Sequence, residues 1–171
     1  MQTIPGYTIQ ERLYESRQSI IYRSLDRDGR PVVLKILNNN FPTPHELARF
    51  KLEYETSTIF NDVPGIIQTY ALEENQNSLI IVMEDFGGIS LKDHLATGPL
   101  SIEDFLNLAV GICKGLVEIH ERCIMHKDIN PSNIIWNRNS GEVKIVDFGI
   151  SSMLPREIAK FSNPKHLEGT L

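Results

Sequence analysis

His126-Lys127-Asp128-Ile129-Asn130-Pro131-Ser132-Asn133, followed fourteen residues after its last member by Asp147-Phe148-Gly149, is the stretch on which the reading of this 171-residue chain turns. It sets a carboxylate, Asp128, and an amide, Asn133, five residues apart, a spacing that lets one loop hold both a hydroxyl and a metal ion. Phosphoryl transfer asks for those two functions and for a positive charge on the phosphates. Between the two motifs lie the apolar runs Ile134 to Trp136 and Val143 to Val146, joined by Asn139-Ser140-Gly141 in the pattern of a small hairpin.

Upstream of the loop the chain reads as helical. Ser101-Ile102-Glu103-Asp104 has the form of a capping box, and Phe105, Leu108, Ala109, Ile112, Leu116 and Ile119 recur at helical spacing on one face, the expected core of a second lobe. A short helix is expected at Leu91 to Leu95, and Gly87-Gly88 is the candidate hinge, dividing the chain into residues 1–86 and 87–171. The first part alternates as strands do, at Tyr7 to Leu13, Ile20 to Leu25, Pro31 to Leu37, Ile67 to Leu72 and Leu79 to Met83. One helix interrupts them, opened by Thr43 as cap, Pro44 in the first turn and Glu46 closing a capping box, and expected to run to about Phe60. Five strands and one helix, followed by a mainly helical part, make an α+β protein of two lobes.

Composition agrees with a globular chain and narrows its partners. It is 41% apolar and 23% charged, with a net charge of -5, so the Lys and Arg clusters that nucleic acid rewards are missing. The opening Met1-Gln2-Thr3-Ile4-Pro5-Gly6 lacks the basic and apolar regions of a signal peptide, and no apolar run approaches a membrane span. A cytoplasmic protein without nucleic-acid or membrane partners is expected. Cys113 and Cys123, within and just after one helix, are too far apart to bridge and are expected as reduced core or half-buried thiols.

In the order and spacing of its motifs the chain resembles the protein kinase family over nearly its whole length, and the fold implied is the two-lobe kinase fold, with a five-stranded antiparallel first lobe. Carried over by position, the resemblance makes Asp128 the residue that accepts or orients the substrate hydroxyl, and Asn133 and Asp147 the ligands of Mg2+. Lys35, at the end of Val32-Val33-Leu34-Lys35, matches the lysine that anchors the phosphates of ATP, and Glu53, eighteen residues on, its ion-pair partner. Glu84-Asp85-Phe86 resembles the segment that hydrogen-bonds adenine through its backbone, with Met83 guarding the back of the pocket. Ser16, Ser19 and Ile21 match positions that cover the nucleotide. Each motif alone is a weak signal: a lone Asp-Phe-Gly is usually a turn, a Lys and Glu pair usually a surface ion pair. Their joint order carries the reading.

The departures from the family pattern are specific. Tyr14, Ser16 and Ser19 stand where a phosphate loop has three glycines, so side chains replace the bare backbone that approaches phosphate. Lys127 replaces an arginine, keeping charge but losing the planar fork that grips a phosphorylated loop. Asn130 stands where serine/threonine kinases place a lysine that steadies the transferred phosphate, whereas Pro131-Ser132-Asn133 resembles those kinases more than tyrosine kinases. Glu168-Gly169-Thr170-Leu171 resembles the start of the substrate-docking segment, so the chain is expected to be truncated, with a second chain covering the face of the second lobe thereby left open. The motif wording resembles the N-terminal kinase domain of large bacterial multi-sensor signalling proteins. Three readings follow: a serine/threonine protein kinase acting on a protein substrate, a pseudokinase-like module binding ATP or a signalling partner with little catalysis, and, ranked last, a small-molecule phosphotransferase.

Overall fold

The computed structural model describes residues 4–39, 41–75 and 78–154. Along the chain run β1 (Thr8–Glu15), β2 (Ser19–Leu25), β3 (Pro31–Leu37), α1 (Pro44–Thr58), β4 (Thr69–Asn75), β5 (Ser78–Glu84), β6 (Ile89–Ser90), α2 (Leu91–Ala96), α3 (Ile102–Glu121), β7 (Ile124–Met125), β8 (Ile134–Trp136), β9 (Val143–Ile145) and β10 (Ser152–Met153). They form two compact units, one of residues 1–59 and 68–86, the other of 60–67 and 87–171. The stretch 60–67, which lies within 1–86 in the sequence reading, packs with the second unit because Phe60, Val63 and Ile66 join that unit's core.

In the first unit, five antiparallel strands are ordered β1-β2-β3-β5-β4. Strand alternation divides its core in two. Val32, Leu34 and Ile36 of β3 meet Ile80 and Val82 of β5 and Ile4 on one face, with Tyr22 packed beside them. On the other, Leu37, Leu79 and Ile81 pack with Phe50 of α1. Burying each such side chain contributes about 1.5–3 kcal/mol. The helix begins where its cap dictates. Thr43, with extended backbone, accepts from the Glu46 N–H through its hydroxyl, and the Glu46 carboxylate accepts from the Thr43 N–H at 2.7 Å. That bond and the one from the Thr43 hydroxyl hold the Glu46 carboxyl below its ordinary value. Phe50, Glu53, Thr56 and Ser57 form the buried face of α1, so a charged residue, Glu53, points inward.

The second unit is built on α3, capped by Ser101, whose hydroxyl accepts from the Asp104 N–H at 3.0 Å. Leu108 and Ile119 are buried, and Ile112 and Leu116 pack against a core of Phe60, Val63, Ile66, Ile124, Ile134, Ile145 and Phe148. Phe105, expected on this face, is 59% exposed. Further along the helix, Gly115 lies so close to the core that a Cβ there would be 3.1 Å from the Gly65 carbonyl and 2.9 Å from Ile145. Ile102, Leu106, Val110 and Val117 form an outward stripe with Phe105. The hairpin β8-β9 is closed by Asn137, whose side-chain oxygen accepts from the Asn139 and Ser140 N–H groups, with Gly141 at φ 77°. Cys113 is exposed rather than in the core, Cys123 is half-buried, and both are free thiols. Among the described residues no helix is long and apolar enough to cross a membrane.

Candidate active site

In the first unit, strand register collects several of the residues singled out above. Ile21, Lys35 and Ile81 are cross-strand neighbours in one row, and Arg23, Val33, Met83 and Thr69 form the row beside it. Both rows lie on the α1 side of the sheet. Lys35 is ion-paired with Glu53, both 7% exposed. Burial makes this unlike a surface pair, because removing one partner would strand the other charge away from water, a loss of about 3–5 kcal/mol.

Met83 and Glu84 end β5, and Glu84 is held on a second side. Its backbone N–H donates to the Gln68 carbonyl at 3.0 Å, and its carboxylate accepts from the Gln68 N–H at 2.7 Å. Asp85 accepts from Arg23 Nε at 2.7 Å. Phe86 is the last residue of this unit's second segment.

The glycine-free turn between β1 and β2 is closed by its own side chains. Ser16 Oγ accepts from the Gln18 N–H at 3.2 Å and the Ser19 N–H at 3.0 Å, while the Ser16 N–H donates to the Ser19 carbonyl at 2.9 Å. Asn38 clamps the turn from β3's end, its Nδ2 donating to the Ser16 carbonyl at 2.7 Å. Two backbone donors that could face an anion are thus taken by a hydroxyl. The sequence showed the missing glycines but not that Ser16 fills their role inwardly.

The second unit holds the loop around Asp128. Asn133 Nδ2 lies 3.0 Å from Asp128 Oδ2 and 2.9 Å from its carbonyl; Asn130 Nδ2 lies 3.0 Å from Oδ1 and 3.2 Å from the same carbonyl. Each carboxylate oxygen therefore accepts from a side-chain amide, which orients it. Counted from the sequence as a lost charge contact, Asn130 is here a direct partner of Asp128.

His126, 2% exposed, ties this loop to the neighbouring one. Its Nδ1 accepts from the Asp128 N–H at 3.2 Å, so the ring proton sits on Nε2, which donates to the Val146 carbonyl at 3.0 Å. Burial pushes the imidazole below its ordinary value, against the Val146 carbonyl and the Asp147 and Asp128 carboxylates, which pull it up. A neutral ring is what both bonds require. Val146 in turn donates its N–H to the Asn133 carbonyl at 3.0 Å, and Asp147 Oδ1 accepts from the Gly149 N–H at 3.1 Å. Phe148, fully buried, stacks on Phe60 with centroids 5.0 Å apart and tilts against His126 at 4.8 Å. Lys127 and Asp147 adopt φ of 67° and 69°, the left-handed region that costs a non-glycine residue about 1–2 kcal/mol. Strain of this kind persists where surrounding contacts over-determine the backbone, as they do on both sides here.

The donor set fits a shared rather than a caged metal. Among the described residues no group of three or more His, Cys, Asp or Glu could hold an ion alone. A magnesium ion that travels with a polyphosphate needs only one or two protein oxygens. Asn133, whose Nδ2 is spent on Asp128, offers its Oδ1, and Asp147 a carboxylate. The terminal Glu168-Gly169-Thr170-Leu171 lies outside the described residues.

Comparison with known proteins gives a consistent picture. A family model described as the protein kinase domain matches residues 7–171. The serine/threonine-protein kinase PrkC of Bacillus subtilis is 35% identical over 127 residues, covering 73% of this chain and 19% of the relative. A probable serine/threonine-protein kinase of Bifidobacterium longum, pknA2, is 31% identical over 157 residues, 88% of this chain and 20% of its own length. A third, probable serine/threonine-protein kinase SCO3848 of Streptomyces coelicolor, is 36% identical over 138 residues, 77% of this chain and 20% of its own. The chain spans about a fifth of the length of these relatives.

Proposed function

Because the chain belongs to the protein kinase family, its match running from residue 7 to 171, we propose that it transfers the terminal phosphoryl group of ATP to serine or threonine of a protein substrate. The observation that carries the proposal is the Asp128 carboxylate held by the amides of Asn130 and Asn133. A carboxylate fixed in this way accepts a hydrogen bond from an incoming hydroxyl and aims its oxygen for in-line attack. Magnesium, when bound, supplies positive charge against the phosphates, and Asn133 and Asp147 would hold it. Lys35, kept extended by Glu53, would pair with the phosphates. Glu84 and Phe86 would present their backbone carbonyl and N–H to adenine. Ile21 and Met83 would line its apolar walls, and Ser16 and Ser19 would lie over the phosphates. Serine or threonine is favoured by the names of the relatives and by Pro131-Ser132-Asn133. The family uses ATP and a divalent metal in general; the metal ligands named here are this proposal's own.

One observation favours a second reading, a module that binds a partner with little catalysis: the closed turn at Ser16, which withholds backbone donors from a phosphate. A second chain on the outward stripe of α3 belongs to the same proposal, supported by the exposure of Ile102, Phe105, Leu106, Val110 and Val117. A stable compact monomer in sedimentation would count against that partner.

The deciding experiment is transfer of labelled phosphate from Mg-ATP, to the chain itself or to an added protein, by the wild type and by Asp128→Asn. Transfer that falls about a thousandfold in a variant melting like the wild type supports the enzyme. A signal that Asp128→Asn leaves unchanged sinks it.

A further inference from the structure

Arg23 and Asp85 are 62 residues apart in sequence, and no motif connects them, yet they form a largely buried ion pair. Asp85 has a side chain 6% exposed, and Arg23 one 21% exposed. The guanidinium is used twice, through different nitrogens: Nε donates to Asp85 Oδ2 at 2.7 Å, and Nη1 to Glu11 Oε2 at 3.2 Å. Glu11 is the cross-strand neighbour of Arg23 on β1, and Val33 and then Met83 continue the same row. Arg23 therefore reaches from β2 past β3 to the stretch that leaves β5.

That stretch needs a hold. Ladder pairing with β3 ends at Glu84, opposite Val32, so Asp85 and Phe86 have no strand register to place them. Glu84 is fastened on the β4 side by the two Gln68 bonds, and Asp85 on the β2 side by Arg23. Residue 85 thus stands between the carbonyl and the N–H assigned above to adenine, with its side chain drawn to the arginine. Hydrogen bonds to a base weaken steeply outside a narrow range of length and angle, so a fixed Asp85 fixes the aim of both neighbours. A lysine at 23 could not serve two carboxylates with the same planar fork.

We infer that the chain of charges Glu11, Arg23 and Asp85 is a positioning device that sets the base-reading backbone at residues 84–86 and thereby how tightly adenine is held. The inference rests on the kinase reading of that segment. Asp85 lies between the two residues assigned to adenine, so the effect is expected on the base rather than on the phosphates.

The test measures affinity of the purified chain for three probes, Mg-ATP, adenosine and Mg-tripolyphosphate, in the wild type, Arg23→Ala, Arg23→Lys and Asp85→Asn. Arg23→Ala and Asp85→Asn are expected to weaken Mg-ATP and adenosine by the same factor, about five- to tenfold, and to leave tripolyphosphate unchanged. Arg23→Lys should recover part of the loss. In turnover, KM for ATP should rise with kcat unaltered. Asp85→Asn keeps the size of the side chain and carries the test if the alanine variant does not fold. Unchanged Mg-ATP affinity in the variants, or an equal loss of tripolyphosphate, overturns the inference while leaving the kinase reading in place. A folded wild type that binds neither Mg-ATP nor adenosine overturns the kinase reading and the inference with it.

Discussion

Two loops of this chain solve the same problem with opposite results. Both the turn at residues 16–18 and the loop at 126–133 lack regular secondary structure to satisfy their polar groups, and both use polar side chains instead. In the second, the amides of Asn130 and Asn133 orient the Asp128 carboxylate, and His126 Nδ1 accepts from the Asp128 backbone N–H. In the first, Ser16 spends its oxygen on the backbone donors of its own turn, and Asn38 locks the turn from outside. One loop is organised around the Asp128 carboxylate, the other around its own backbone. Under the proposed function, self-satisfaction would separate chemistry from affinity, with Asp128 oriented by its neighbours and the Ser16 turn withholding its N–H groups from phosphate.

The severest way to break the comparison is Asn133→Ala, which removes a donor to Asp128 and a proposed metal oxygen together. Phosphotransfer should fall by several kcal/mol in barrier, on the order of a thousandfold, with the melting temperature nearly kept. A fall of less than tenfold would show that Asp128 is aimed by something else. His126→Phe should come next, at about 2 kcal/mol of stability by denaturant titration, because it removes the side-chain partner of the half-buried Val146 carbonyl and of the Asp128 N–H. Asn130→Ala should slow transfer about fivefold, the worth of one hydrogen bond of roughly 1 kcal/mol, and leave KM for ATP alone. If it raised KM and spared kcat, Asn130 would belong to the phosphate rather than to Asp128.

The smallest effect is one of pH. Burial lowers the His126 imidazole in the folded chain, so the unfolded chain takes up that proton first as acid is added. Its contribution is therefore complete above the ordinary imidazole range and is lost as pH falls through that range toward the lowered value. Denaturant midpoints measured from about pH 8 to about pH 5 should drop across this window, and the part due to the imidazole should vanish in His126→Phe. A wild type and variant with parallel pH curves would contradict the neutral ring.

What the sequence made legible follows from which forces are local. The Thr43, Pro44 and Glu46 signature opened α1 where expected, and the runs Pro31 to Leu37 and Ile134 to Trp136 became β3 and β8 with the same bounds. Both kinds of signal are set by residues within one turn or one strand. The pairs Ile89–Ser90, Ile124–Met125 and Ser152–Met153 are too short to show a period and exist only through partners elsewhere in the chain. Phe105 repeats the apolar spacing of α3 and is nonetheless exposed, because helical spacing marks an apolar residue without telling whether anything packs on it. At the site, fixed spacing brought Asp128, Asn133 and Asp147 to notice. Arg23 with Asp85 and the hydroxyl of Ser16 had no such spacing, because one is a cross-sheet ion pair and the other depends on which way a side chain turns.

The most direct test of the contrast between the loops is steady-state phosphotransfer by Ser16→Gly beside the wild type. Freed of the hydroxyl, the Gln18 and Ser19 N–H groups become available to phosphate, so KM for Mg-ATP should fall about fivefold to tenfold while kcat stays within twofold. A kcat that rises with KM unchanged, or a glycine variant that binds Mg-ATP more weakly, would contradict a closed cover over an intact catalytic loop.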